Sequence, residues 1–173
     1  SKFKNNINKP NNNNLMKLSI KKGVSFGLTS GVITTLGLIV GLTSGTGSKL
    51  VVLGGIITIA IADAFSDALG MHISEEAENK HTTREIWEST ISTFLAKFVF
   101  ALTFIIPILL FNLSLAVIVS IIYGLLVLSI ISYNMAKEQK ESPLYVIGEH
   151  LLIAVVVIII THFVGNYVSI IFG

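Results

Sequence analysis

Between Ile56 and Glu78, a stretch apolar enough to enter a bilayer, Asp63, Asp67, Met71 and Glu75 recur at intervals of four. On a helix that spacing stacks them along one face. Carboxylates in hydrocarbon are costly unless matched by a partner, so an intramembrane aspartate marks a functional site by default. His72 flanks Met71. A soft thioether and a borderline imidazole beside hard carboxylates suit a divalent first-row ion such as Fe²⁺ or Mn²⁺ better than Na⁺ or Mg²⁺. Glu75, Glu76 and Glu78 carry the acidic run out of the apolar stretch, and His81, Glu85 and Glu88 follow it. These are candidates for metal capture at the membrane surface.

Lys97 is the nearest base, in the next apolar segment. If that segment climbs from about Glu88, helical rise puts Lys97 about 14 Å up, at the depth of the two aspartates. One lysine neutralises one carboxylate. The other must be protonated, hydrogen-bonded or matched by a transported cation, and alternation between those states is the chemistry of a proton-coupled carrier. Ser30 and Thr34 in the first apolar segment offer hydroxyl contacts, or bond back to their own preceding turn.

The elements that must position these groups are membrane spans. Of 173 residues 52% are hydrophobic and 13% charged, against about 25% charged in a soluble domain. Five apolar segments lie near 24–43, 50–73, 89–111, 114–135 and 146–171, each close to the roughly 20 residues that cross a bilayer. The expected fold is all-α, a single five-helix transmembrane domain over 23–173, preceded by an Asn/Lys-rich tail at 1–22 read as disordered. Lys2, Lys4, Lys9, Lys17, Lys21, Lys22, Lys80, Arg84, Lys137 and Lys140 fall on one side and only Lys49 on the other, which predicts a cytoplasmic N-terminus and an outside C-terminus.

Gly23, Gly27 and Gly31, then Gly37, Gly41 and Gly45, mark close helix crossings, either within the chain or at a dimer seam. Pro107 predicts an end or a kink in the third span, and Trp87 an interfacial anchor.

Several classes are excluded. The chain has no cysteine, which removes disulfides, zinc-thiolate sites and Fe–S ligation. A net charge of +2 argues against nucleic acid as a partner. No nucleophile–base pair or phosphate-binding loop appears, so an enzyme is not expected, and neither is a cofactor.

These features resemble the vacuolar iron transporter family. The first span carries Ser30-Gly31 followed by small residues, the second ADAFSDALGM, the third STFLAKFVFALTFIIPILLF and the fifth ITHFVGNYV, so the likeness covers roughly 23–171. Its most specific element is the acid eight residues ahead of a methionine, Asp63 and Met71. The resemblance implies a homodimer of five-helix protomers that moves Fe²⁺ or Mn²⁺ out of the cytosol in exchange for protons. This chain departs from the pattern at three points: Ser30 stands where the family's first span commonly has aspartate, Lys97 where it is usually uncharged, and only about a dozen residues separate spans two and three. It therefore looks like a short prokaryotic-type member without a full cytoplasmic metal-binding domain, with the plasma membrane as its expected location. Asp67, which the pattern does not require, compensates in charge. The competing reading is a non-transporting membrane metal sensor or assembly protein in which an Asp–Lys97 pair is structural glue.

Overall fold

The computed structural model describes residues 12–173, with side chains from Lys17 onward. Among these residues there are helices and no strands: α1 (Asn12–Thr46), α2 (Lys49–Ala77), α3 (Thr83–Thr103), α4 (Ile105–Leu110), α5 (Leu113–Gln139) and α6 (Pro143–Phe172). With α3 and α4 counted together, five helices are long and apolar enough to cross a membrane. The first 11 residues of the expected tail lie outside the described residues. From Asn12 the chain is already helix, well before the expected start near 24. The reason is a set of partners: Ser19 is buried, Lys22 pairs with Glu75 of α2, and Lys21 pairs with Glu138 of α5.

The helix ends follow local chemistry. The Ser48 hydroxyl caps α2, and the Asn112 side chain accepts from the Leu115 amide at 3.0 Å to start α5. Thr82 and Glu85 form a reciprocal capping box at α3. Pro143 occupies the first turn of α6, where its missing N–H costs nothing. Pro107 cannot donate to the carbonyl four residues back and crowds it, so the third span breaks at Phe104 and resumes as α4. The expected kink is thus observed, three residues ahead of the proline.

Helix α1 is the central one, packing against α2, α3, α5 and α6. Its glycines explain this. A Cβ on Gly27 would stand 2.5 Å from the Thr93 carbonyl oxygen of α3. A Cβ on Gly165 of α6 would stand 3.0 Å from the Gly45 amide nitrogen. The two glycine triplets therefore serve crossings inside the chain, the first on α3 and the second on α6. Val32, Leu36 and Ile39 of α1 meet Val52, Ile56, Phe100, Phe104, Ile108 and Leu128 in the core.

Burial runs opposite to that of a water-soluble bundle. Lys97, Glu75, Thr93, Ser120 and Ser132 are buried, while Leu69, Val99, Leu126, Ile160 and Phe163 stand exposed on the outer faces. An apolar exterior, with the charged and hydroxyl groups gathered inside beside the apolar core, is the arrangement hydrocarbon selects.

Candidate metal path along α2

The face of α2 that turns inward carries the predicted stripe. Met71 and Glu75 are buried with Ala64 and Ala68, while Asp63 and Asp67 sit at the edge of the same face, 25% and 19% exposed. From Glu75 to Asp63 the stripe climbs about 18 Å by helical rise. It holds two separate clusters.

The deeper cluster gathers three helices around one ammonium. Lys97 Nζ of α3 lies 2.5 Å from Asp63 Oδ2 and 2.5 Å from Asp67 Oδ2, and it donates to Ser30 Oγ of α1 at 2.8 Å. Its side chain is 1% exposed. An ammonium has three donors and no acceptor; here it donates to Ser30 and Asp67, while Asp63 is held by charge at close range, its Oδ2 buried without a hydrogen bond. Both aspartates share the lysine, rather than one pairing and one being left over. Ser30 is at the site as expected. Thr34 is not, because its hydroxyl donates to the Ser30 carbonyl at 3.0 Å. This is the local back-bonding alternative.

The second cluster lies at the end of the bundle where α2 meets α3. One carboxylate oxygen each from Glu75 and Glu78 and a ring nitrogen of His81 lie within 4.8 Å of one another. His81 Nε2 is 3.2 Å from Glu75 Oε2 and 3.4 Å from Glu78 Oε2. Here too a lysine reaches in: Lys22 pairs with Glu75 and stands 3.8 Å from Glu78. Glu75 is 1% exposed, so that pair is in effect buried at one end and wet at the other, Lys22 being 46% exposed.

A cavity of about 560 Å³ opens on this cluster. Its walls include Lys22, Ser25 and Thr29 of α1, Met71, Glu75 and Glu78 of the acidic region, and Met135 and His150 from α5 and α6. The cavity reaches Met71, one turn short of Asp67.

The remaining predicted residues divide by side-chain direction. Glu76 points outward, exposed and away from the cluster. His72 turns from Met71 toward α3, where it packs against Trp87 with centroids 4.8 Å apart and bonds Thr90 Oγ1 at 3.0 Å. Residues adjacent on a helix are about 100° apart, so His72 and Met71 do not share a site. Glu85 lines the cavity, but its Oε2 accepts from both the Thr82 amide and hydroxyl, at 2.7 and 2.9 Å, as a helix cap. Glu88 accepts from Arg84 Nε at 2.7 Å. Of His81, Glu85 and Glu88, only His81 joins Glu75 and Glu78 in the cluster.

Met135 and His150 were not expected at the site. Ser132 gives its proton to the Leu128 carbonyl at 2.7 Å, so its oxygen accepts from His150 Nδ1–H at 2.7 Å. In the neutral ring with that tautomer, Nε2 carries the lone pair. The available signal was the polar spacing at the near ends of α5 and α6, with Ser132, Met135 and Glu138 one turn apart.

No curated protein matches the chain. Residues 21–88 match the VIT family, a stretch that includes Ser30, Asp63, Asp67, Met71, Glu75, Glu78 and His81 and ends nine residues before Lys97. That match is to part of the chain, and it coincides with the acidic face of α2 in a protein with five membrane-length helices.

Proposed function

We propose that this protein carries divalent first-row metal ions, Fe²⁺ or Mn²⁺, out of the cytosol in exchange for protons. The observation that supports it most is the single inward face of α2, on which Glu75, Met71, Asp67 and Asp63 lead from an open cavity to a buried polar centre. Substrate would be gathered by Glu75, Glu78 and His81, pass the soft sulfur of Met71, and meet Asp67 and Asp63. Met135 and His150 Nε2 offer further ligands on the opposite wall of the cavity. Returning protons would discharge the carboxylates.

Orientation is argued from charge. Lys17, Lys21, Lys22, Lys80, Arg84, Lys137 and Lys140 fall at the Glu75 end and Lys49 at the other, which supports a cytoplasmic cavity in a plasma membrane. A homodimer is supported by the flank of the deeper cluster. Asp63 borders a groove of about 640 Å³ walled by Leu38, Leu42, Val51 and Ile59. A carboxylate facing lipid there is unfavourable, and a second copy of the chain would cover it.

The test is transport in proteoliposomes with Fe²⁺, Mn²⁺, Co²⁺ and Zn²⁺, with and without a pH gradient. Asp63→Asn should abolish metal-driven proton flux; unchanged flux in that variant sinks the site assignment. The pairing of buried Lys97 with both aspartates favours one competing reading, in which the cluster is structural and nothing is carried. It requires that Asp67→Asn destabilise the fold, that Asp67→Asn with Lys97→Met restore it, and that neither change metal binding.

A further inference from the structure

We propose that Lys97 is a tethered cation occupying the deeper cluster, so that a divalent metal reaches Asp63 and Asp67 only by displacing it. The inference rests on the carrier reading and adds to it an internal competitor for the substrate site.

Position carries the first part. A metal held between α1, α2 and α3 would take oxygens from Ser30, Asp63 and Asp67, and the ammonium of Lys97 already lies 2.8, 2.5 and 2.5 Å from those three groups. Lysine and metal would use the same lone pairs, so both cannot be fully coordinated at once. Enclosure carries the second part. The side chain is 1% exposed, and the stem lies over Gly31, where a Cβ would come within 3.4 Å of Lys97 Cγ. The stem thus packs along α1 at ordinary contact distance, and the ammonium it carries lies between the carboxylates rather than in the cavity. Charge carries the third. Two carboxylates and one ammonium sum to −1, so a divalent ion arriving beside an undisplaced lysine meets a weaker field and a like charge at contact distance. The competition should therefore lower metal affinity while keeping other cations from settling in the site.

The experiment measures Mn²⁺ binding to the purified full-length chain by the loss of the free-ion EPR signal, at one fixed pH. Lys97→Met and Lys97→Gln should each bind Mn²⁺ at least tenfold more tightly than the unmodified chain. Lys97→Arg, which keeps the charge, should not. The gain should disappear when Asp63→Asn and Asp67→Asn are added to Lys97→Gln. Affinity unchanged in both neutral variants overturns the proposal, as does a gain that survives loss of the two aspartates. Failure of both neutral variants to fold also overturns it, because the ammonium is then structural and not a displaceable occupant. If the unmodified chain carries Mn²⁺ and Asp63→Asn does not, yet Lys97→Gln binds no better, this inference alone falls. If no variant binds Mn²⁺ through Asp63 and Asp67, the carrier reading falls with it.

Discussion

Gly27→Ala is the sharpest probe of how the bundle is held together. The added Cβ would stand 2.5 Å from the Thr93 carbonyl oxygen and 3.2 Å from both Ala96 Cβ and the Lys97 amide nitrogen. Ordinary contact begins near 3.4 Å, so α1 and α3 must part by about 0.9 Å at this level. The obstacle is backbone and cannot rotate aside. Overpacking of this kind costs about 1–3 kcal/mol, and alanine returns about 0.5–1 kcal/mol of helix propensity, for a net loss of about 0.5–2 kcal/mol. The same separation loads the Ser30–Lys97 hydrogen bond, now 2.8 Å, which crosses the same pair of helices. Gly54→Ala is the control: that glycine is also inside a helix, but nothing lies within 4 Å of its Cβ position, so alanine should be neutral or slightly stabilising. Equilibrium unfolding in mixed micelles, followed by helicity and by the fluorescence of the single tryptophan, Trp87, measures both. A Gly27→Ala chain as stable as the unmodified one would refute the close-crossing account.

Other outcomes follow from the same geometry. Glu75→Gln should weaken Mn²⁺ uptake at low metal concentration in liposomes, whereas Glu76→Gln, on the outward side of α2, should leave it unchanged. His72→Phe should keep transport and metal preference, since the ring packs on Trp87 and Thr90; Met71→Leu should lower the preference for Fe²⁺ over Mg²⁺ in a competition assay. Thr82→Ala removes the α3 cap and should cost about 1 kcal/mol in the same unfolding measurement with no loss of flux.

The stripe on α2 was legible because period and charge coincide there: an acid or a sulfur every fourth residue in an apolar run has one helical meaning. Depth was legible too, since rise alone put Lys97 level with the aspartates. Rotation was not. Whether His72 or Met71 faces the cavity depends on where α3 packs, which local sequence does not state. Glu85 could have been assigned correctly: Thr82 three residues ahead of it is a capping signature, but the surrounding glutamates made it look like a ligand. The glycine triplets allowed two partners, and only the placement of α3 and α6 against α1 decides between them. Lys22 escaped notice for a different reason, because a base just before an apolar run reads as a topological flag rather than as a partner for Glu75.

The short connections at the end of the bundle remote from Glu75 limit how it can move. Two residues join α1 to α2 and two join α4 to α5, so the helix ends within each hairpin can separate by no more than about 11 Å. Neither link is long enough to act as a flap. Widening at that end therefore means swinging one hairpin away from the other, and Lys49 bridges that seam: its ammonium donates from α2 to the carbonyls of Leu109 and Phe111 at 3.2 and 3.1 Å. Lys49, the one base at that end of the bundle among the described residues, is thus a clasp between two rigid levers, and any opening along this seam has to break both of its bonds.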